Sequence, residues 1–226
     1  MIICVTGTNT DVGKTIATAA LASVIDQAGY NVIAAKPVQT GTTTDPGDAA
    51  TVTRLTGLPT VQGWGFPEPL APNLAARRAG EQAPSLREVV QWVRDLDAPD
   101  RTVLVEGAGG LLVRIGDDYS LADVAVELDA PLVVVTSLGL GSLNLAELTC
   151  VHARQRGLDV LGLVGGAMPA EPDLATALNV EELPRVTGVP YLGSLPAGAG
   201  KLSPKDFAAM AQEVLGPCLL YTSPSP

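Results

Sequence analysis

Aromatic side chains make up only 4% of the 226 residues, so any core must be aliphatic. The single histidine, His152, and three widely spaced cysteines, Cys4, Cys150 and Cys218, disfavour a triad hydrolase and leave no metal or redox pairing. Unpaired thiols point to a reducing compartment. Positive charge is scarce: 14 Lys and Arg against 24 Asp and Glu give a net charge of -10, so a nucleic-acid or anionic-membrane surface is not expected. No apolar run is long enough to span a bilayer, and no signal peptide is present. A cytoplasmic, soluble protein is the expectation.

What the sequence does hold is organised around Gly7-Thr8-Asn9-Thr10-Asp11-Val12-Gly13-Lys14-Thr15. The apolar run Met1 to Val5 before it reads as a buried strand, and Ile16 to Ala22 after it as a helix. Strand, Gly-rich loop and helix in that order make a phosphate loop. Backbone N–H groups and the positive helix end face the phosphate. Lys14 adds a mobile cation, and the Thr15 hydroxyl is placed for Mg²⁺. The usual spacing puts a Gly where Thr8 stands, with Gly7 one residue early, so the loop belongs to a side branch of its class.

Further strands are expected at Asn31–Ala35, Thr102–Val105, Pro131–Thr136, Val160–Val164 and, shorter, Val189–Leu192. The second stops at Pro37, which cannot donate to a sheet. Helices alternate with them, two opened by Ser85 and Ser120, and residues 60–84 read as mostly irregular with a helix from Asn73 to Ala79. Trp92 reads as a packing residue. The alternation predicts an α/β, phosphate-loop NTPase-like fold: a mostly parallel sheet flanked by helices on both faces. Residues 1–216 form one domain, and 217–226 read as a disordered or non-native tail.

In such sheets ligands bind beyond the carboxyl ends of the strands. Those ends carry Lys36, Glu106 and the loops 139–144 and 165–169. Lys36 emerges beside the phosphate loop, where two lysines suit phosphoryl transfer. Glu106 stands where phosphate-loop enzymes keep a second metal-binding carboxylate. Gly107, Ala108, Gly109 and Gly110 behind it let backbone approach a ligand. Asp48 completes a Mg²⁺ site with Thr15 and Glu106 or caps a helix, and Asp45 competes for the metal role. Thr40 bonds a substrate or caps a turn. The amides of Ser142, Leu143 and Asn144 open a helix, available to a carboxylate or to ordinary capping.

Gly-Thr-x-Thr-x-Val-Gly-Lys-Thr at 7–15, Lys-Pro-Val-x-Thr-Gly at 36–41 and Val-Glu-Gly-Ala-Gly-Gly at 105–110 together resemble the dethiobiotin synthetases, over residues 1 to about 215. The early Gly is that family's own form of the loop. The resemblance implies an enzyme that uses ATP, Mg²⁺ and CO₂ to close the ureido ring of 7,8-diaminopelargonic acid, through a carbamate that attacks the γ-phosphate. It implies that Lys36 and Lys14 stabilise carbamate and phosphoryl charge, and that Thr15, Asp48 and Glu106 bind Mg²⁺. The implied nucleotide set is Asp11, Val12, Gly13, Lys14, Thr15 and Ile16, with Asp48, Glu106, Gly107, Ala108 and Gly109. Gly166 and Ala167 with Pro196, Ala197 and Gly198 lie near the base. Thr40, Gly109 and Gly110 face the diamine and its carbamate. A homodimer is implied, in which Ser142, Leu143 and Asn144 of one copy hold the substrate carboxylate of the other. Some members carry Asn at the position of Gly166, able to bond adenine, so relaxed base selectivity is expected here.

The rival is a switch ATPase of the partition or site-selection type. Those carry a second Lys early in the loop, where this chain has Thr8-Asn9-Thr10. An amidotransferase synthetase domain would need a glutaminase domain for which no room remains. A nucleotide-binding module without catalysis is disfavoured by the presence of Lys14, Lys36 and Glu106.

Overall fold

The computed structural model describes residues 1–43 and 46–219. Its centre is a seven-stranded sheet in which every pairing is parallel. The strands are β1 (Ile2–Gly7), β2 (Asn31–Thr40), β3 (Thr60–Phe66), β4 (Arg101–Gly110), β5 (Leu132–Thr136), β6 (Val160–Met168) and β7 (Tyr191–Pro196), in the order β3-β2-β4-β1-β5-β6-β7. The helices are α1 (Lys14–Gln27), α2 (Asp48–Thr56), α3 (Pro72–Ala79), α4 (Leu86–Arg94), α5 (Leu121–Leu128), α6 (Ser142–Gln155), α7 (Leu174–Thr187) and α8 (Pro204–Leu219).

Strand residues alternate between two apolar layers. Ile3 and Val5, Leu104, and Val133 and Val135 meet α1, α2 and α8. Cys4, Val103 and Val105, and Leu132 and Val134 meet residues of α3 to α7. This period of two explains the strands' unbroken apolar runs: both faces of the sheet are covered. Ser85 and Ser120 form capping boxes with Glu88 and Asp123. Trp92 packs edge-on against Trp64, with centroids 6.2 Å apart.

Several boundaries differ from the sequence reading. β2 does not stop at Pro37. Its pairing with β4 ends at Ala35, but pairing with β3 continues to Thr40 opposite Phe66. A proline is tolerated where the ladder is one-sided. Residues 60–66 are not irregular but form the edge strand β3, hidden by Gly63 and Gly65. A Cβ on Gly63 would lie 2.5 Å from the Pro37 carbonyl oxygen, so the close approach of β2 requires glycine there. β4 and β6 run on past their apolar stretches, through Gly110 and Met168, with register shifts against β1 and β7. β7 starts at Tyr191, two residues after the expected Val189. α8 runs to Leu219, beyond the expected boundary at 216. Residues 220–226 of the expected tail lie outside the described residues, as does Asp45. Among the described residues no helix is long and apolar enough to cross a membrane.

Candidate active site

β1 sits centrally, so the turn after it faces the carboxyl ends of β4 and β5. Two glycines let that turn form. A Cβ on Gly7 would fall 2.8 Å from the Asn9 carbonyl oxygen and the Val12 side chain. That is the physical reason for the early glycine. Gly13 adopts φ 93°, a left-handed conformation that favours glycine, and is the N-cap of α1. No side chain caps α1, so its first-turn amides keep no side-chain acceptor. Asp11 also takes a left-handed φ of 57°. Lys14 folds back, its Nζ donating to the Asn9 carbonyl.

Four functional groups meet beside this loop. Thr15 Oγ1 stands 2.7 Å from Asp48 Oδ1 and 2.9 Å from Glu106 Oε1. Lys36 Nζ stands 2.5 Å from Asp48 Oδ2 and 3.1 Å from Glu106 Oε1, and donates to the Gly107 carbonyl at 2.8 Å. They come from α1, β2, α2 and β4, and the register explains why. Val5 of β1 pairs with Glu106, and Ala35 of β2 pairs with Val105 at the last rung of the β2–β4 ladder, so Lys36 and Glu106 follow side by side where these two strands part.

Lys14, Lys36 and Glu106 are buried. Burial pushes the Glu106 carboxyl up, and the like charge of Asp48 adds to this against the pull of Lys36. Burial also works upward on Asp48, but Lys36 outweighs it and holds that carboxyl low. Lys36 is lowered by burial and raised more by Glu106 and Asp48, so it stays charged. Lys14 is held low by burial and by Lys36. The group is a compact charge cluster in which one ammonium serves two carboxylates.

Asp48 is not a helix cap. The N-cap of α2 is Gly47, and the Asp48 side chain points to Thr15 and Lys36. The residue that orders this helix start was missed from the sequence. Gln39 Oε1 accepts from the Asp48 N–H at 3.0 Å, and Gln39 Nε2 donates to the Thr40 carbonyl. Buried at the end of β2, Gln39 sits in Lys36-Pro-Val-Gln39-Thr40, and a buried amide there is the signal that was available. Thr40 ends β2, half-buried, beside it.

Gly109, at φ 64°, approaches the loop: a Cβ there would meet Thr10 Oγ1 at 3.4 Å and Val113 at 2.8 Å. Gly110 pairs with Gly7. Gly107, Ala108, Gly109 and Gly110 belong to β4 itself and are not a separate loop.

A cavity of about 70 Å³ opens beside the start of α1. It gathers Gly13, Ile16, Gly166, Ala167, Pro196 and Gly198. Leu195, Ala199 and Gly200 also line it and were not anticipated, while Ala197 does not. Ala197 instead donates its N–H to the Met168 carbonyl, joining the ends of β6 and β7. Arg54 of α2 donates to the Gly200 carbonyl at 2.8 Å, another contact the sequence did not suggest.

Ser142, Leu143 and Asn144 open α6 after the N-cap Gly141, and no side chain caps that end. Ser142 is buried, with its hydroxyl accepting from Asn179 Nδ2. Leu143 is half-buried and Asn144 exposed. His152, within α6, contributes nothing to the cluster: its Nε2 is buried without a partner among the described residues.

A parallel sheet with a Gly-Lys-Thr turn between its central strand and first helix defines a phosphate-loop nucleotide-binding protein. A chain of the MinC:MinD cell division protein complex of Aquifex aeolicus shares this fold, with a TM-score of 0.57 and 12% identity over 100% of this chain and 98% of that one. The family described as an AAA domain matches residues 2–201. The ATP-dependent dethiobiotin synthetase of Corynebacterium efficiens is 60% identical over 95% of this chain and 97% of its own. That of Corynebacterium diphtheriae is 55% identical over 94% and 96%. The chain belongs to the dethiobiotin synthetase family.

Proposed function

We infer that the chain is an ATP-dependent dethiobiotin synthetase, a C–N bond-forming ligase of biotin biosynthesis. The observation that carries this reading is the meeting of Lys36, Glu106, Asp48 and Thr15 beside the phosphate loop, in a chain that shares over half its residues with such enzymes.

In this reading the substrates are 7,8-diaminopelargonic acid, CO₂ and ATP. One amine forms a carbamate with CO₂. The carbamate oxygen attacks the γ-phosphorus, ADP departs, and the second amine closes the ring with loss of phosphate. The first-turn amides of α1 and residues Asp11 to Ile16 hold the phosphates. Lys36 and Lys14 bring two ammonium groups to an anionic transition state, where fixed charge contributes most. Thr40, Gly109 and Gly110 flank the diamine. The cavity between Gly166 and Gly198 takes the nucleotide base.

The Thr15 hydroxyl and the Asp48 and Glu106 carboxylates form a small, all-oxygen set, which fits Mg²⁺, a hard cation that takes one or two carboxylates and keeps waters. Bound there, Mg²⁺ would neutralise charge on the β- and γ-phosphates. Lys36 then satisfies the remaining carboxylate charge, with its third N–H on the Gly107 carbonyl.

The working form is a homodimer. Leu140, Leu148, Leu174 and Leu178, on or beside α6 and α7, are between 51% and 91% exposed. A second copy covering this apolar face would bring its own Ser142–Asn144 helix start to the diamine's carboxylate. The free thiols Cys4 and Cys150 accord with work in the cytoplasm. Incubation with the diamine, bicarbonate, Mg²⁺ and ATP, read by mass spectrometry for dethiobiotin, tests the reading.

A further inference from the structure

Thr18 lies one turn beyond Thr15 on α1, fully buried, and its hydroxyl has no hydrogen-bond partner among the described residues. A helical threonine commonly donates to the carbonyl four residues back. Thr56, Thr149 and Thr187 do so here, each at 2.7 Å. Thr18 does not. A buried hydroxyl left alone is costly, and an internal water is the usual solution.

Thr18 lines a cavity of about 10 Å³ beneath the charge cluster, together with Lys36, Glu106 and the small side chains of Ala34, Ala35 and Ala49. That volume suits the centre of one water molecule and nothing larger. A water also needs polar partners. The three N–H groups of Lys36 are taken by Asp48, Glu106 and the Gly107 carbonyl. The acceptor left among the charged liners is the Glu106 carboxylate.

We propose that this cavity binds one water molecule bridging the Thr18 hydroxyl to the Glu106 carboxylate, which makes Thr18 a positioning residue for Glu106. The water accepts from or donates to Thr18 and donates to Glu106. The small Ala34, Ala35 and Ala49 side chains leave the space for it. The consequence for activity rests on the reading of Glu106 as a metal ligand, because groups bonded to a ligand tune its affinity.

Thr18→Val and Thr18→Ser decide it. Valine keeps the shape and nearly the helix propensity of threonine but not the hydroxyl. A water-bridged hydroxyl predicts that Thr18→Val lowers Tm by about 2–4 °C. A truly unpaired hydroxyl predicts the reverse, a Tm that holds or rises in Thr18→Val, and that result overturns the proposal. A high-resolution crystal structure should show the water within hydrogen-bond distance of both groups in the wild type and Thr18→Ser, and its absence there also overturns it. In turnover, Thr18→Val should need roughly 10-fold more Mg²⁺ for half-maximal rate, at unchanged nucleotide KM. An unchanged Mg²⁺ requirement removes the positioning role. If the wild type makes no dethiobiotin, the proposed function falls, while the melting and crystallographic results still judge the water.

Discussion

Lys36 and Glu106 meet at 3.1 Å with almost no solvent at either, each just past the last rung that pairs β2 with β4. Removing one partner of a buried pair costs more than the pair contributes, because the other charge is stranded. Lys36→Met should therefore destabilise the protein by about 3–5 kcal/mol in urea unfolding. It should also reduce turnover by at least roughly 10²–10³-fold. Adding Glu106→Gln should recover much of the stability and none of the turnover. Full stability in Lys36→Met would contradict the charge cluster.

Asp48 carries a pH signature. Burial works against its charge, but Lys36 more than compensates, so its folded carboxyl lies below the ordinary 3.8. A depressed carboxyl contributes stability that is complete above its unfolded value and fades as pH falls through the folded one. Asp48→Asn should melt below the wild type at pH 7, and the gap should narrow from about pH 4 downward. A gap that is constant from pH 7 to pH 3 would remove the ion pair from the account.

The sequence showed the parts of this cluster separately. Gly-Lys-Thr, Lys36 and Glu106 each follow an apolar run, and apolar runs with buried ends are legible in one dimension. Strand order is not. That β4 lies between β1 and β2, bringing Glu106 between Thr15 and Lys36, comes from crossovers that no local pattern encodes. β3 was hidden because Gly63 and Gly65, needed for close approach to β2, carry the signature of a loop. Gln39 was missed because its work is done on the backbone of Asp48, nine residues away.

Gly166 packs onto the phosphate loop, and a Cβ there would overlap the Val12 carbonyl. Gly166→Asn should then weaken nucleotide binding at least roughly 10-fold, in equilibrium titration, without conferring adenine selectivity. Binding equal to the wild type would mean that the loop and β6 can separate.

In the proposed base site Gly166 offers no side chain to bond the base, which leaves backbone groups. Turnover should be comparable with several nucleoside triphosphates. A strict ATP requirement would place base selection on other residues of the pocket.

The exposed leucines of α6 and α7 predict the assembly. Leu148→Glu with Leu178→Glu should convert a dimer to a monomer in sedimentation velocity and raise the KM for the diamine by at least 10-fold, with nucleotide binding unaffected. A wild-type monomer with full activity would rule out the shared site.

In the proposed function this charge cluster drives ureido ring closure. The most direct measurement follows dethiobiotin by mass spectrometry from the diamine, bicarbonate, Mg²⁺ and nucleotide, with Lys36→Ala beside the wild type. Product should require every component and vanish in Lys36→Ala. Nucleotide hydrolysis that yields no dethiobiotin and ignores the diamine would contradict the proposed function and point to a switch ATPase.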